Sequence, residues 1–245
     1  MFDSRADHAW CRAIDTCSIS RKEDQAMKLR AMLFDAGGVL YYRPRRWQNT
    51  RGFLSELNLQ YIDSNHPNRM AWKIKAHSGE ITEDEYIDAL LDIFGVQDPN
   101  DRLRGRDILY KEERDIEFLE GVTETLNRLK NSGYLLGVVT NTYISTEEKR
   151  EWCRQVGGDD IWDSFATSCE IGIVKPNPGI YLTALDPLGI LPSESAFVGH
   201  TPGELEGARA IGMVTIAFNH PAEMRSADYE IMHFSELIDI VRSIV

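Results

Sequence analysis

Ala31-Met32-Leu33-Phe34-Asp35-Ala36-Gly37-Gly38 is a short, unbroken apolar run that stops on a carboxylate and two glycines. Three later segments repeat the design. Tyr134 to Val139 (YLLGVV) runs into Thr140-Asn141, Ser195 to Val198 (SAFV) into Gly199-His200, and Met213 to Phe218 (MVTIAF) into Asn219-His220. Runs this short and apolar throughout suit strands buried on both faces of a parallel sheet better than half-exposed hairpin strands. Between them lie helical patterns. Val122, Leu126 and Leu129 share one face ahead of Gly133, and Leu205, Ala208 and Ile211 do the same ahead of Gly212. Strand and helix in alternation predict a doubly wound, parallel α/β sheet with right-handed crossovers. Ligands bind such sheets beyond the carboxyl ends of the strands, where Asp35, Thr140 and His200 all fall.

The alternation breaks between Tyr41 and Phe118, where the sequence reads as helix without a clear strand. Thr82-Glu83-Asp84-Glu85 is a capping-box pattern opening a helix that carries Tyr86, Ile87, Leu90, Leu91 and Phe94, with Gly95 just after. An all-helical cap over residues 42–117 is therefore expected, lying above the carboxyl end of the first strand. The α/β core is expected from 29–41 and 118–245. Residues 1–28 read as a loosely ordered N-terminal extension ending in the polar run SRKEDQ, with Met27 a plausible initiator.

The 245 residues leave room for one α/β domain with an insertion. Lys and Arg number 27 against 39 Asp and Glu, a net charge of −12 that repels nucleic-acid phosphates and anionic lipid. No apolar run approaches the roughly 20 residues of a membrane span. Nucleic acid and membrane are thus excluded as expected partners. Cys11, Cys17, Cys153 and Cys169 form no CxxC pair, which fits a reduced, cytoplasmic setting. Oligomeric state has no signature here.

Asp35 at a strand end, followed by glycines that free the backbone to turn around an anion, suits a nucleophile, a metal ligand or a turn-forming residue. Its company is informative: Thr140-Asn141 at the next strand end, Lys175 in VKPNPGIY, and VGHTPGELEGARAIGM after a third strand. Arg43, Arg45 and Arg46 with Trp47 form a basic, aromatic stretch that could steer an anionic substrate, although a solvated basic turn is the plainer reading.

In this order these motifs resemble those of the haloacid dehalogenase-like superfamily, from Leu29 to Val245. The resemblance implies a hydrolase, in the first instance a phosphatase for a small phosphorylated metabolite. Asp35 would be the nucleophile that forms an aspartyl-phosphate, Thr140 the phosphate-binding hydroxyl, and Lys175 the cation that offsets charge at Asp35. Gly38, Asn141 and Arg46 would contact substrate. Asp35, the Gly37 carbonyl, His200 and Glu204 would hold a divalent metal, magnesium in most of the family.

Two positions depart from the pattern. The second aspartate usual two residues after the nucleophile is Gly37, which cannot transfer a proton; a positioned general acid is worth about 10²–10⁴ in rate. The usual Gly-Asp of the fourth motif is Gly199-His200. Magnesium prefers oxygen donors, whereas imidazole suits manganese or a later transition metal. Two other readings therefore stay open: a metal-independent hydrolase like the haloacid dehalogenases proper, and an inactive binding or regulatory module.

Overall fold

The computed structural model describes residues 29–158, 160–219 and 227–244. The expected extension over 1–28 lies outside the described residues. The chain enters at β1 (Ala31–Phe34), which is wholly buried, and turns through Asp35 to Gly38 into the two-residue β2 (Tyr41–Tyr42). Four helices follow: α1 (Gln48–Glu56), α2 (Pro67–His77), α3 (Glu83–Phe94) and α4 (Pro99–Arg114). The expected capping box opens α3: Thr82 N donates to Glu85 Oε2 at 2.7 Å, and Glu85 N donates to Thr82 Oγ1 at 3.2 Å. Gly95, at φ 80°, closes it in the left-handed region that glycine enters without steric cost. Phe53, Leu54, Tyr86, Leu90, Leu91 and Phe94 belong to an apolar cluster of the insertion's own.

β3 (Glu117–Phe118) brings the chain back, pairing antiparallel with β2. That small ladder sits where the helical insertion leaves and rejoins the rest of the chain. The alternation then resumes with α5 (Val122–Asn131), β4 (Leu135–Thr140), α6 (Thr146–Arg154), β5 (Ser164–Thr167), the single-turn α7 (Ser168–Ile171) and α8 (Pro178–Leu185). After these come β6 (Ser195–Gly199), α9 (Pro202–Ala210), β7 (Val214–Phe218), β8 (Tyr229–Ile231) and α10 (Leu237–Ile244).

Six strands form one parallel sheet in the order β5-β4-β1-β6-β7-β8. Apolar clusters cover both faces: Met32 and Phe34 of β1 point into one, Ala31 and Leu33 into the other. Alternate residues of one strand thus serve two cores, which is why AMLF contains no polar position. β1 lies between β4 and β6, with Phe34 in register with Val138 and Val198. Asp35, Thr140 and His200 consequently emerge at one edge of the sheet, at the point where the strand order reverses. No helix among the described residues is long and apolar enough to cross a membrane.

Candidate active site

A cavity of about 510 Å³ opens at that edge between the sheet and the helical insertion. All nine residues singled out from the sequence line it: Asp35, Gly37, Gly38, Arg46, Thr140, Asn141, Lys175, His200 and Glu204.

Asp35 and Lys175 are its centre. Lys175 Nζ lies 2.6 Å from Asp35 Oδ1 and 2.8 Å from Glu204 Oε2, with the lysine side chain 1% exposed. The same Asp35 oxygen accepts from the Ala36 amide at 2.8 Å. His200 Nδ1 stands 3.4 Å from the other oxygen, Oδ2. Burial opposes the charge on Asp35, but Lys175 and His200 outweigh it and hold its carboxyl down at about 2. The Asp35 carboxylate beside it raises the His200 imidazole above its ordinary value, against burial. Lys175 is likewise raised: burial works against its charge and the two carboxylates overcome it. Glu204, unlike Asp35, is also raised: burial, helped by the nearby Asp35 charge, outweighs Lys175.

The turn after β1 is built to admit the imidazole. At Gly38, φ is +82°, and a Cβ there would lie 2.8 Å from His200 Cε1. Only glycine lets the ring cross the backbone so closely. Gly37 is under no such constraint, since a Cβ there would meet nothing closer than Tyr41 Cε2 at 3.9 Å.

Asn141, on the cavity wall, also has a structural task. Its side chain clasps the Lys175 backbone, accepting from Lys175 N at 2.8 Å and donating to Lys175 O at 3.2 Å. It fixes the loop that aims the ammonium at Asp35. From the α8 side, Tyr181 donates its hydroxyl to the Glu204 carbonyl at 2.7 Å, tying down the start of α9. Thr140 is buried at the end of β4 and faces the cavity.

The expected metal set is brought together, but its donors do not fit magnesium. Asp35 and Glu204 are its only carboxylates, and Lys175 lies within ion-pair distance of both. The remaining Asp35 oxygen faces an imidazole nitrogen. A hard ion placed there would meet an imidazole nitrogen and two carboxylates already held by a lysine ammonium, where it prefers several free oxygens. Among the described residues no group of three or more His, Cys, Asp or Glu side chains is arranged to hold an ion.

Apart from Arg43, Arg46 and Trp47, sequence reasoning missed the residues that the insertion and α6 contribute. Arg43 pairs with Glu113 at 2.5 Å, and Lys149 Nζ donates to the Tyr41 hydroxyl at 2.7 Å. Arg69 donates to the Ile62 carbonyl at 2.6 Å with its guanidinium carbon 4.4 Å from the Trp47 ring centre. Lys73 and His77 line the cavity from α2. Arg69, Lys73, His77 and Lys149 occupy no strand end, so no local pattern marks them. The half-buried charged residues on α2, an otherwise amphipathic helix, were the available signal.

Comparison with known proteins agrees with this geometry. The haloacid dehalogenase-like hydrolase family's sequence model matches residues 70–218, and the chain belongs to that family. Glyceraldehyde 3-phosphate phosphatase of Methanopyrus kandleri is 30% identical over 171 residues, covering 65% of this chain and 72% of the relative. (S)-2-haloacid dehalogenase 4A of Burkholderia cepacia is 30% identical over 142 residues, covering 56% and 61%. A crystal structure of a predicted phosphoglycolate phosphatase from Haemophilus somnus 129PT superposes with a TM-score of 0.64 at 17% identity, over 86% of this chain and 97% of that one.

Proposed function

We propose that this hydrolase is a phosphatase acting on a small phosphorylated metabolite through Asp35, with the helical insertion over residues 42–117 as its cap. The observation that carries the reading is the Asp35–Lys175 pair at a shared strand edge, one carboxylate oxygen committed and the other left toward the cavity. An ionised carboxylate needs no activating base. Asp35 Oδ2 attacks phosphorus, the bond to the leaving oxygen breaks, and an aspartyl-phosphate forms. Water then attacks the same phosphorus, returning the carboxylate and releasing phosphate.

Charge that develops on the phosphoryl oxygens needs fixed donors in a dry site. Lys175 supplies a buried ammonium, His200 an imidazole whose protonation Asp35 favours, and Thr140 a hydroxyl. With the donor set as it is, no step is assigned to a metal, and the positive charge comes from Lys175 and His200. The free thiols of Cys153 and Cys169 support a reducing, cytoplasmic setting.

The same donor set also favours a second reading, displacement at carbon of the kind the dehalogenase relative's name describes, since that chemistry needs no phosphate-bound cation. A single turnover in ¹⁸O-water separates the two. Attack by water on phosphorus places the label in phosphate, whereas hydrolysis of a carbon ester at Asp35 places it in the Asp35 carboxylate. The phosphatase reading expects turnover of an aryl phosphate that is lost in Asp35→Asn, with label in phosphate; turnover that survives Asp35→Asn would remove it.

A further inference from the structure

The part of the cavity formed by the insertion and α6 gathers positive charge that the chain does not neutralise. Six lysine and arginine side chains line the cavity, against the carboxylates of Asp35, Glu113 and Glu204. Arg43 and Lys175 are matched to those carboxylates, and Arg69 is spent on Tyr61 and the Ile62 carbonyl. Arg46, Lys73 and Lys149 are left over.

Among the described residues, neither Arg46 nor Lys73 has an ion-pair or hydrogen-bond partner, and Arg46 rests against the Trp47 ring at 5.9 Å. Lys149 is 2% exposed, and its ammonium meets uncharged groups: the Tyr41 hydroxyl and, at 3.8 Å, the Trp152 ring. The charges act on one another. Burial first, and then Arg46, lowers the Lys73 ammonium, and burial and then Arg43 push Lys149 down to about 7; Glu113 opposes both shifts, and Glu148 the second, without reversing them. His77, among them, is pushed down to about 3 by burial and then by Lys73 and Lys149. In a chain of net charge −12, like charges gathered and partly desolvated destabilise the fold unless an anion joins them.

We propose that Arg46, Lys73 and Lys149 form a second anion subsite, and that the substrate is a small phosphate monoester bearing another acidic group, carboxylate or phosphoryl, remote from the bond that is cleaved. The proposal rests on the phosphatase reading for the role of the Asp35 end. The phosphoryl group to be transferred meets Asp35 and Lys175, while the far acid meets Arg46, Lys73 and Lys149 and favours the charged form of each lysine. Charge-assisted hydrogen bonds there are stronger than neutral ones. A substrate with a neutral tail would leave those cations desolvated and unmatched.

Phosphonates are not hydrolysed, so they read the subsite without turnover. Calorimetric titration of the full chain with phosphonocarboxylates, bisphosphonates and alkylphosphonates of equal length compares charged tails with neutral ones. A charged tail is expected to tighten binding by about tenfold or more. The stronger of the two charged series tells whether carboxylate or phosphoryl is the second acid. Lys73→Met and Lys149→Met should each shrink the preference, with melting curves run alongside to confirm folding. Aryl phosphate turnover measured in parallel reports on the phosphatase reading separately, so either idea can fail alone. Equal binding of charged- and neutral-tailed phosphonates by the wild type would overturn the subsite, as would a preference that survives both substitutions.

Discussion

Asp35 shows how a buried carboxylate is kept ionised: desolvation opposes its charge, and the Lys175 ammonium and the His200 imidazole on opposite oxygens reverse the outcome. If His200 has taken over electrostatic work from a metal, magnesium should not raise the wild-type melting temperature in a concentration-dependent way. His200→Asp should create that dependence. The backbone at Gly37 has room for a side chain, so Gly37→Asp added to it should raise turnover of alkyl phosphates by about tenfold or more. Rates across a series of aryl phosphates with the wild type should fall steeply as the leaving group becomes more basic. A flat series would show that a residue such as His200 already donates the proton. Asn141→Ala removes two hydrogen bonds that hold the Lys175 loop, each worth about 0.5–1.5 kcal/mol. It should lower both unfolding midpoint and kcat, and a variant that melts earlier with kcat unchanged would show that Lys175 needs no such restraint.

At the level of elements, the insertion is tied to the rest of the chain by charge as well as by β2 and β3. Arg114 at the end of α4 reaches Glu83 of α3 at 2.9 Å and Glu148 of α6 at 2.6 Å. His77 at the end of α2 lies against the Tyr143 ring, centroids 5.6 Å apart, and stays neutral there. That neutrality makes stability depend on acid. Between its ordinary value of 6.5 and about 3, the unfolded chain binds a proton at His77 that the folded chain excludes. Stability should therefore fall as pH drops below about 6.5, with Asp35 adding a further loss as its carboxyl protonates between 3.8 and about 2. Urea midpoints at pH 7.5 and pH 5 test this: His77→Gln should flatten the difference, and an equal difference in the variant would assign it elsewhere. The strands buried on both faces were legible in the sequence because each residue faces a core. β5, reading SFAT, and β8, reading YEI, were not, since edge strands need no continuous apolar run and theirs is interrupted by polar residues. Strand-end residues of the site were legible for the same reason as the strands that carry them. Lys73, His77 and Lys149 were not, because they share a cavity with Asp35 only through the packing of α2 and α6 around it.

Over the whole molecule, a net charge of −12 contrasts with a cavity lined by six lysine and arginine side chains against three carboxylates, an arrangement that favours small anions at the site. The fold supplies the convergence: a reversal in strand order beside β1 places three strand ends together, and the helices between β2 and β3 close over them. Everything proposed for catalysis depends on the Asp35 carboxylate forming a bond to phosphorus. That bond can be caught directly. An aspartyl-phosphate is an activated acyl group, which borohydride reduces to homoserine while leaving free carboxylates untouched. Acid-quenched protein taken during steady-state turnover of an aryl phosphate, reduced and then mapped by mass spectrometry, should show homoserine at position 35 and at no other aspartate. Turnover under the same conditions with Asp35 unmodified throughout would contradict the mechanism.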